Sequence, residues 1–448
     1  MLETLKARAE ALESGRENAV QMVRRALDRI RDPQGEGERA FVTVHAEQAL
    51  AAAAAHDGLR AAGAAPSPYA GIPISVKDLF DLKGEPTPAG STAHADSAPA
   101  KQDAPAIARL KAAGFVVVGR TNMTEFAFSG LGLNPHYGTP SSPWDRAARR
   151  IPGGSSSGAG VSVADGMAAA GIGSDTGGSC RIPAALCGTV GYKPTAGSVS
   201  REGVVPLSMT LDSIGSMAPS VDCCRIVHEV MSGQALPATP ARDIAGLRLA
   251  VPQTVAFDDI EPYVAELFER RLKQLEAAGA RITVLPLKEF AEVASINAKG
   301  GFAPPEALAW HRKLIAERGS EYDGRVLKRI MRGQEQSAAD YVELIGRRAD
   351  FIRRIEAVIA PFDAVAMPTV PMIAPRIADL EADEDLFTRV NMTMLRNPTL
   401  INVMDGCSIS LPMHVSGEAP AGLMLSAAGG HDAALFATAE AVETALAA

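Results

Sequence analysis

The chain contains little of what disulfide frameworks, metal sites and membrane spans require. Its five cysteines are an odd, sparse set for 448 residues, so we expect reduced thiols. None of their spacings, with or without the eight histidines, forms a zinc pattern, and we expect no metal and no cofactor. The longest alanine tract, 51–55, is far too short to span a bilayer, and the amino terminus lacks the apolar core of a secretory signal. We therefore expect a cytoplasmic protein that binds no membrane.

Positive charge is also scarce. The 44 lysines and arginines are outnumbered by 52 aspartates and glutamates, which gives a formal net charge of −8. No basic stripe accompanies this balance, so we expect no nucleic-acid partner. With 47% hydrophobic and 21% charged residues, the composition is typical of a globular protein with a large core. Small molecules are the expected partners, and the sequence leaves the oligomeric state, including a homodimer, open.

The chain alternates between helical and strand periodicity, which predicts the α/β class with a multistranded sheet. In the segment 69–79, Ile72, Ile74 and Val76 share one face of a predicted strand, whereas Ser75 and Lys77 share the other. Further predicted strands are 115–119, 247–252, 282–287 and 362–368. Predicted helices fall within 2–30, 47–62, 104–114, 264–278 and 341–360. Length alone leaves the number of domains open.

The glycine-rich segment from Gly153 to Arg181 holds two serine turns, 153–158 and 174–181. Glycine permits sharp turns and close approach to a substrate, and successive backbone N–H groups can form an anion site. A flexible linker is the commonest use of such a composition. The intervening stretch 159–172 is instead small and apolar, which predicts a short packed helix, a C-cap at Gly166 and a buried strand.

One hydrolase interpretation makes Ser156 the nucleophile. The run 154–158 satisfies the Gly-x-Ser-x-Gly pattern of a strand-to-helix elbow. That arrangement requires a later acid and a histidine. The available histidines are His228, His311, His414 and His431.

A second interpretation makes Ser179 the nucleophile, Ser155 a relay and Lys77 the base. A lysine base needs its pKa lowered by roughly 3 units from about 10.4, and burial in an apolar strand is the means to do so. The competing interpretation of Lys77 is a surface lysine paired with Asp78 or Asp81. From the residues alone, both interpretations stay open.

The motifs resemble, in order, the landmarks of the amidase signature family, which includes malonamidase, fatty acid amide hydrolase and the glutaminase subunit of tRNA-dependent amidotransferases. The resemblance covers nearly the whole chain. The matching segments are Gly-Ile-Pro-Ile-Ser-Val-Lys-Asp (71–78), Gly-Arg-Thr-Asn-Met-Thr-Glu-Phe (119–126), the glycine and serine signature (152–158 and 173–183), 187–188, Gly-Tyr-Lys-Pro-Thr (191–195) and Ala-Gly-Leu-Met-Leu (421–425). The segment 405–408 departs from the family's Gly-Leu-Pro turn, so substrate specificity does not transfer.

The resemblance implies a single α/β/α amidase domain over 1–448 with a central mixed sheet covered by helices. Within it, 1–65 would be a helical segment packed on the core, 66–220 the signature core, and 221–448 the remaining sheet and helical cover. The family's catalytic lysine falls on Lys77, its relay serine, which follows a cis peptide bond, on Ser155, and its nucleophile on Ser179. Its oxyanion hole falls on Thr176, Gly177 and Gly178. Asp175 and Arg181 would organise the turn as an ion pair.

The implied activity is hydrolysis of a carboxamide C–N bond of a small-molecule substrate through a Ser179 acyl-enzyme. The amidotransferase glutaminase and an ester or carbamate hydrolase are compatible alternatives. A binding protein without turnover is disfavoured, because Lys77, Ser155 and Ser179 are all present. Ser156 and Ser157 are interpreted as turn and helix N-cap residues, and Cys180 as a packing residue.

Overall fold

The computed structural model describes residues 2–447, and its centre is one mixed sheet of eleven strands. Across the sheet the strands follow the order β1-β3-β2-β4-β6-β5-β10-β11-β9-β7-β8. The strands are β1 Phe41–Val44, β2 Pro73–Lys77, β3 Val116–Thr121, β4 Ala170–Asp175, β5 Val190–Lys193, β6 Ser213–Ala218, β7 Arg248–Pro252, β8 Arg281–Leu285, β9 Ala364–Pro368, β10 Cys407–Pro412 and β11 Gly422–Ala427. This confirms the predicted α/β fold class.

Helices cover the sheet. Every residue of β2, β4, β5 and β6 is buried; since side chains alternate across a strand, both faces of the central sheet are covered. The α-helices are α1 Leu5–Glu13, α2 Ala19–Arg31, α3 Gly37–Ala40, α4 Ala46–Ala61, α5 Pro105–Ala112, α6 Ser157–Ala164, α7 Arg181–Cys187, α8 Val221–Ser232, α9 Pro262–Ala277, α10 Glu292–Ile296, α11 Ala303–Arg318, α12 Gly324–Met331, α13 Ala338–Ile359, α14 Ile377–Ala382, α15 Glu384–Val403 and α16 Asp432–Ala447.

Local sequence signals explain several helix ends. Asn18 and Gln21 form a reciprocal capping box at the start of α2, and Ser337 and Asp340 form another at the start of α13. Gly233 ends α8 in the left-handed conformation, with φ +71°, that glycine adopts readily. Of the helices that these residues bound, α13 lies within three residues of its predicted range, 341–360, whereas α8 was not predicted.

The segment 1–65 differs from its prediction. It contains the expected helices, but it also contributes β1, which pairs antiparallel with β3 at the edge of the sheet. The sequence Phe-Val-Thr-Val is only four residues long, too short for its periodicity to be distinguished from that of a helix.

Strand pairing brings the two chemically important regions together. β2 and β4 are parallel neighbours, with Ile74 beside Ala170 and Val76 beside Ile172. Because parallel strands end at the same edge of the sheet, Lys77 at the end of β2 lies next to the end of β4. The second serine turn starts at that end, while α6, which follows the first turn, packs on β4. Within residues 2–447, no helix is long and apolar enough to cross a membrane.

Candidate active site

Lys77 is fully buried and binds two serines. Its Nζ donates to Ser155 Oγ at 2.7 Å and to Ser174 Oγ at 2.9 Å. The alternative of a surface lysine paired with a neighbouring aspartate is wrong. Asp78 pairs with Arg120 at 2.7 Å, and Asp81 accepts a hydrogen bond from Thr87.

Burial lowers the pKa of Lys77 from 10.5 to about 8, because a charged ammonium is poorly solvated inside the sheet. The carboxylates of Asp212 and Asp175 act in the opposite direction and favour the ammonium. At pH 7 a group of this pKa is neutral in roughly a tenth of molecules, against a few in ten thousand for an ordinary lysine. The amine is therefore close to the range in which a general base works.

The backbone around Ser155 is held by close contacts. The Gly154–Ser155 peptide bond is cis, as the family resemblance implied. The N–H of Gly154 donates to the Gly130 carbonyl at 2.9 Å, and the Ser155 carbonyl accepts from the N–H of Thr124 at 3.0 Å. A Cβ at Gly154 would lie 2.5 Å from the backbone nitrogen of Gly132, so no side chain fits there. Glycine at 154 is required by space.

Ser179 lies in the second serine turn, which contacts the first turn through the backbone, but its side chain is not hydrogen-bonded to Ser155. Its carbonyl accepts from the N–H of Ser156 at 3.3 Å, which links the two serine turns. Among residues 2–447, the Ser179 hydroxyl has no hydrogen-bond partner, and the residue keeps 3% of its surface exposed. The structure thus joins Lys77 to Ser155 directly and leaves the Ser179 hydroxyl without a hydrogen-bond partner among the described residues.

The turn 176–179 presents backbone N–H groups. Within the part of the chain that the structure describes, the N–H groups of Thr176, Gly177 and Ser179 have no acceptor. The N–H of Gly178 donates to Asp175 Oδ1 at 2.8 Å and is therefore occupied. Gly178 has φ +122°, a conformation that disfavours any side chain, so its role in the turn is conformational.

Asp175 and Arg181 form the ion pair that the family resemblance implied, and both are fully buried. Arg181 Nη2 lies 2.8 Å from Asp175 Oδ1, and Nε lies 3.0 Å from Oδ2. Burial raises the pKa of Asp175, but the Arg181 guanidinium, with Asn402 and Lys193, outweighs this effect and holds it well below its usual range. The carboxylate also accepts from the N–H groups of Gly178 and Cys180, so the pair organises the turn.

The elbow centred on Ser156 is not assembled. The hydroxyl of Ser156 donates to the Ser174 carbonyl at 3.4 Å, and Ser156 precedes α6 as its N-cap residue without a side-chain capping bond. Within residues 2–447, no histidine lies within hydrogen-bond distance of the serines in either turn. Burial raises the pKa of the Cys180 thiol to about 12, so this residue packs as an apolar group.

Three residues of the site were not predicted as participants. Ser174 is the second acceptor of Lys77, and its place before Asp175 in the signature was the only signal. Asp212 accepts from the Thr176 hydroxyl, and Asn402 binds both Asp175 and Arg181. The last two come from distant segments, so no local pattern marks them. Within the described residues, no group of three or more potential metal ligands is present.

Comparisons with known proteins find similarity over nearly the whole chain. The amidase family model matches residues 21–436. The 2-amino-5-chloromuconic acid deaminase of Comamonas testosteroni is 36% identical over 86% of this chain and 84% of its own length. One component of the glutamyl-tRNA(Gln) amidotransferase of Mycobacteroides abscessus is 32% identical over 98% of this chain and 96% of its own length. The crystal structure of an amidase superimposes with a TM-score of 0.88 at 29% identity and covers 98% of this chain and 99% of that one.

The fold and these matches define a hydrolase that acts on carbon–nitrogen bonds of amides. The chain belongs to the amidase family.

Proposed function

We propose that the protein hydrolyses a carboxamide bond of a small-molecule substrate through an acyl-enzyme on Ser179. Lys77 serves as the base and Ser155 as the relay between them. The observation that carries the proposal is the 2.7 Å hydrogen bond from Lys77 Nζ to Ser155 Oγ in a fully buried setting that lowers the pKa of the amine to about 8.

The proposed acylation step moves one proton along two hydroxyls. Ser179 Oγ attacks the carbonyl carbon while its proton passes to Ser155, whose own proton passes to the neutral amine of Lys77. The ammonium then returns a proton through Ser155 to the leaving nitrogen, and the C–N bond breaks. Water attacks the acyl-enzyme by the same route, which releases the acid and regenerates Ser179.

The oxyanion of each tetrahedral intermediate would accept hydrogen bonds from the free N–H groups of the turn. Thr176, Gly177 and Ser179 are the donors that the hydrogen-bond pattern supports. Gly178 stays in the proposal as the residue that orients its neighbours, since its own N–H is used by Asp175. Loss of one such donor in other enzymes lowers kcat by about 10²–10³.

Labelling by a fluorophosphonate probe tests the nucleophile. We expect Ser179→Ala to abolish labelling and Ser156→Ala to retain it. Retained labelling of Ser179→Ala would refute the mechanism.

The base has a matched control within the chain. Lys193 is also buried and has a pKa lowered to about 8, but its Nζ donates to the backbone carbonyls of Pro194 and Gly406. We expect Lys77→Met to abolish amide turnover and Lys193→Met to keep it. Equal losses of kcat in the two folded variants would contradict a specific role of Lys77.

The surroundings of Arg329 support the proposal that the substrate carries a carboxylate. Its guanidinium lies over the Phe128 ring and donates to the Phe128 carbonyl at 2.6 Å, and burial, together with Arg332, lowers its pKa to about 10. Among the described residues, no carboxylate lies within ion-pair distance of it. Phe128 lies two residues before Gly130, whose carbonyl binds the first serine turn, so one short segment connects the residue that Arg329 contacts to the site. One relative is named for an acid, 2-amino-5-chloromuconic acid.

Two amides that share the scissile bond and differ only in a carboxylate or its neutral isostere test this substrate class. We expect Arg329→Gln to raise KM for the charged amide alone. Lys328→Gln, one residue away but exposed and paired with Glu384, is the control. An equal loss on both substrates would contradict carboxylate recognition.

The glutaminase of a tRNA-dependent amidotransferase is the second candidate function. It is favoured by the 32% identity to a component of a glutamyl-tRNA(Gln) amidotransferase over 98% of this chain. Turnover of simple aryl or alkyl amides by the isolated chain, without glutaminase activity, would exclude it. A panel of amides, esters and carbamates, varied on either side of the scissile bond, would define the preferred bond.

We propose that residues 1–448 fold as one cooperative unit. We also propose that the protein is cytoplasmic. The segments 1–65, 66–220 and 221–448 each contribute strands to the same sheet, which supports a single cooperative transition. All five cysteines are unpaired and buried, which suits a reducing compartment. Two separate calorimetric transitions would contradict the single unit.

A further inference from the structure

A buried carboxylate holds the first residue of the proposed oxyanion turn. The hydroxyl of Thr176 donates to Asp212 Oδ1. The same carboxylate accepts from the N–H groups of Leu207 at 3.0 Å and Ser208 at 3.1 Å. Asp212 is only 6% exposed, and among the described residues no cation forms an ion pair with it. Burying a carboxylate without an ion pair costs free energy of folding. A role other than stabilising the fold would account for its presence.

A second carboxylate anchors the loop 207–212 that carries Asp212. Glu306, in the first turn of α11, accepts from the hydroxyls of Ser208 and Thr210, and from the N–H of Thr210 at 3.1 Å. The hydroxyl of Tyr341 on α13 also donates to it, at 2.6 Å. Within residues 2–447 this carboxylate has no ion pair either. Glu306 therefore connects α11 and α13 to the loop 207–212, and Asp212 in that loop binds Thr176.

We propose that Asp212 is a positioning residue of the catalytic site, which orients Thr176 in the oxyanion turn and supplies a negative charge near Lys77, and that Glu306 fixes its loop. This rests on the proposed function of Lys77 and Ser179. Because the Thr176 side chain is held at its hydroxyl, the direction of its backbone N–H is set before a substrate binds, as oxyanion stabilisation requires.

The charge of Asp212 acts on the base as well. Asp212 and Asp175 are the carboxylates that raise the pKa of Lys77 against the effect of burial. Arg201 is the basic group that acts on Asp212 itself, which has a pKa of about 6 because of burial. Above pH 6, Asp212 is therefore mostly ionised and stabilises the ammonium form of Lys77.

Asp432 provides a matched control. It is also 6% exposed, and it accepts from the hydroxyl of Tyr192 and from the N–H and hydroxyl of Thr195. It does not act on Lys77. We compare Asp212→Asn with Asp432→Asn by kcat, KM and the pH dependence of kcat/KM on any amide that the protein hydrolyses.

We expect Asp212→Asn to lower kcat at least about tenfold with KM within about twofold, because it disturbs an interaction made in the transition state. The acid limb of kcat/KM should move to lower pH, since Lys77 loses a negative charge that favours its protonated form. Asp432→Asn should keep the wild-type acid limb and kcat. A purely structural role of Asp212 would leave the acid limb in place.

Substitutions of Thr176 keep the test informative if Asp212→Asn does not fold. Thr176→Val keeps the shape and the backbone N–H but loses the bond to Asp212, and it should lower kcat. Thr176→Ser keeps a hydroxyl that can bond to Asp212, and it should have the wild-type kcat. The proposal is overturned if Thr176→Val has the wild-type kcat, or if folded Asp212→Asn behaves as Asp432→Asn does. If Ser179→Ala or Lys77→Met keeps activity, the proposed function fails first.

Discussion

Replacement of Lys77 by methionine should abolish turnover and, near neutral pH, remove a penalty on folding. A lysine with pKa 10.5 in the unfolded chain and about 8 in the folded protein is shifted by about 2.5 units. At 1.36 kcal/mol per unit, the shift corresponds to about 3 kcal/mol. The unfolded chain binds more protons than the folded protein between these two values, so stability rises with pH across that window. Below pH 8 the penalty is present in full.

Methionine carries no charge, so the variant lacks this pH dependence. The two lost hydrogen bonds, to Ser155 and Ser174, cost about 1 kcal/mol each at every pH. Lys77→Met should therefore be more stable than the wild type by about 1 kcal/mol at pH 7. Near pH 11 it should be less stable by about 2 kcal/mol. The change of about 3 kcal/mol between the two pH values is the diagnostic quantity, because the hydrogen-bond cost cancels in it.

Urea denaturation of the wild type and Lys77→Met at pH 7 and pH 11 measures the free energy of unfolding. Lys193→Met is the matched control for the stability change, since burial also lowers the pKa of Lys193 to about 8. It should show the same pH-dependent gain without loss of turnover. A difference in stability between Lys77→Met and the wild type that does not vary with pH would refute a buried lysine with a lowered pKa.

Three further predictions concern the turn and the pH profile. The rate kcat/KM should rise about tenfold per pH unit up to an apparent pKa near 8 as Lys77 loses its proton, and a flat profile from pH 6 to 9 would contradict this. Arg181→Met should lower the free energy of unfolding, measured by urea denaturation, by about 3–5 kcal/mol, because it leaves Asp175 charged and unpaired. A loss below about 1 kcal/mol would contradict a buried ion pair at this position. Cys180→Ala should keep turnover, and the wild type should resist iodoacetamide, because burial raises the pKa of the thiol; rapid inactivation by the reagent would argue otherwise.

Much of the local structure was predictable because its signals are contained in short stretches of sequence. Alternating apolar residues marked β2, and the small apolar stretch 159–172, interrupted at Gly166, marked α6 and β4. The resemblance to the amidase signature family also implied the cis peptide bond before Ser155 and the ion pair between Asp175 and Arg181. The short strand β1 was missed, since four residues give no distinctive period.

The sequence by itself determined which serines and which lysine were candidates, and the order of strands and helices that contains them. Only the tertiary structure decided that Lys77 is buried, because a lysine at a strand end is exposed or buried according to what packs around it. Only the tertiary structure brought Asn402 to the ion pair and Asp212 to Thr176, since strand pairing and helix packing join segments that no sequence spacing relates. The pKa of Lys77 follows from that assembly, because the desolvation that lowers it exists only when the sheet is covered on both faces.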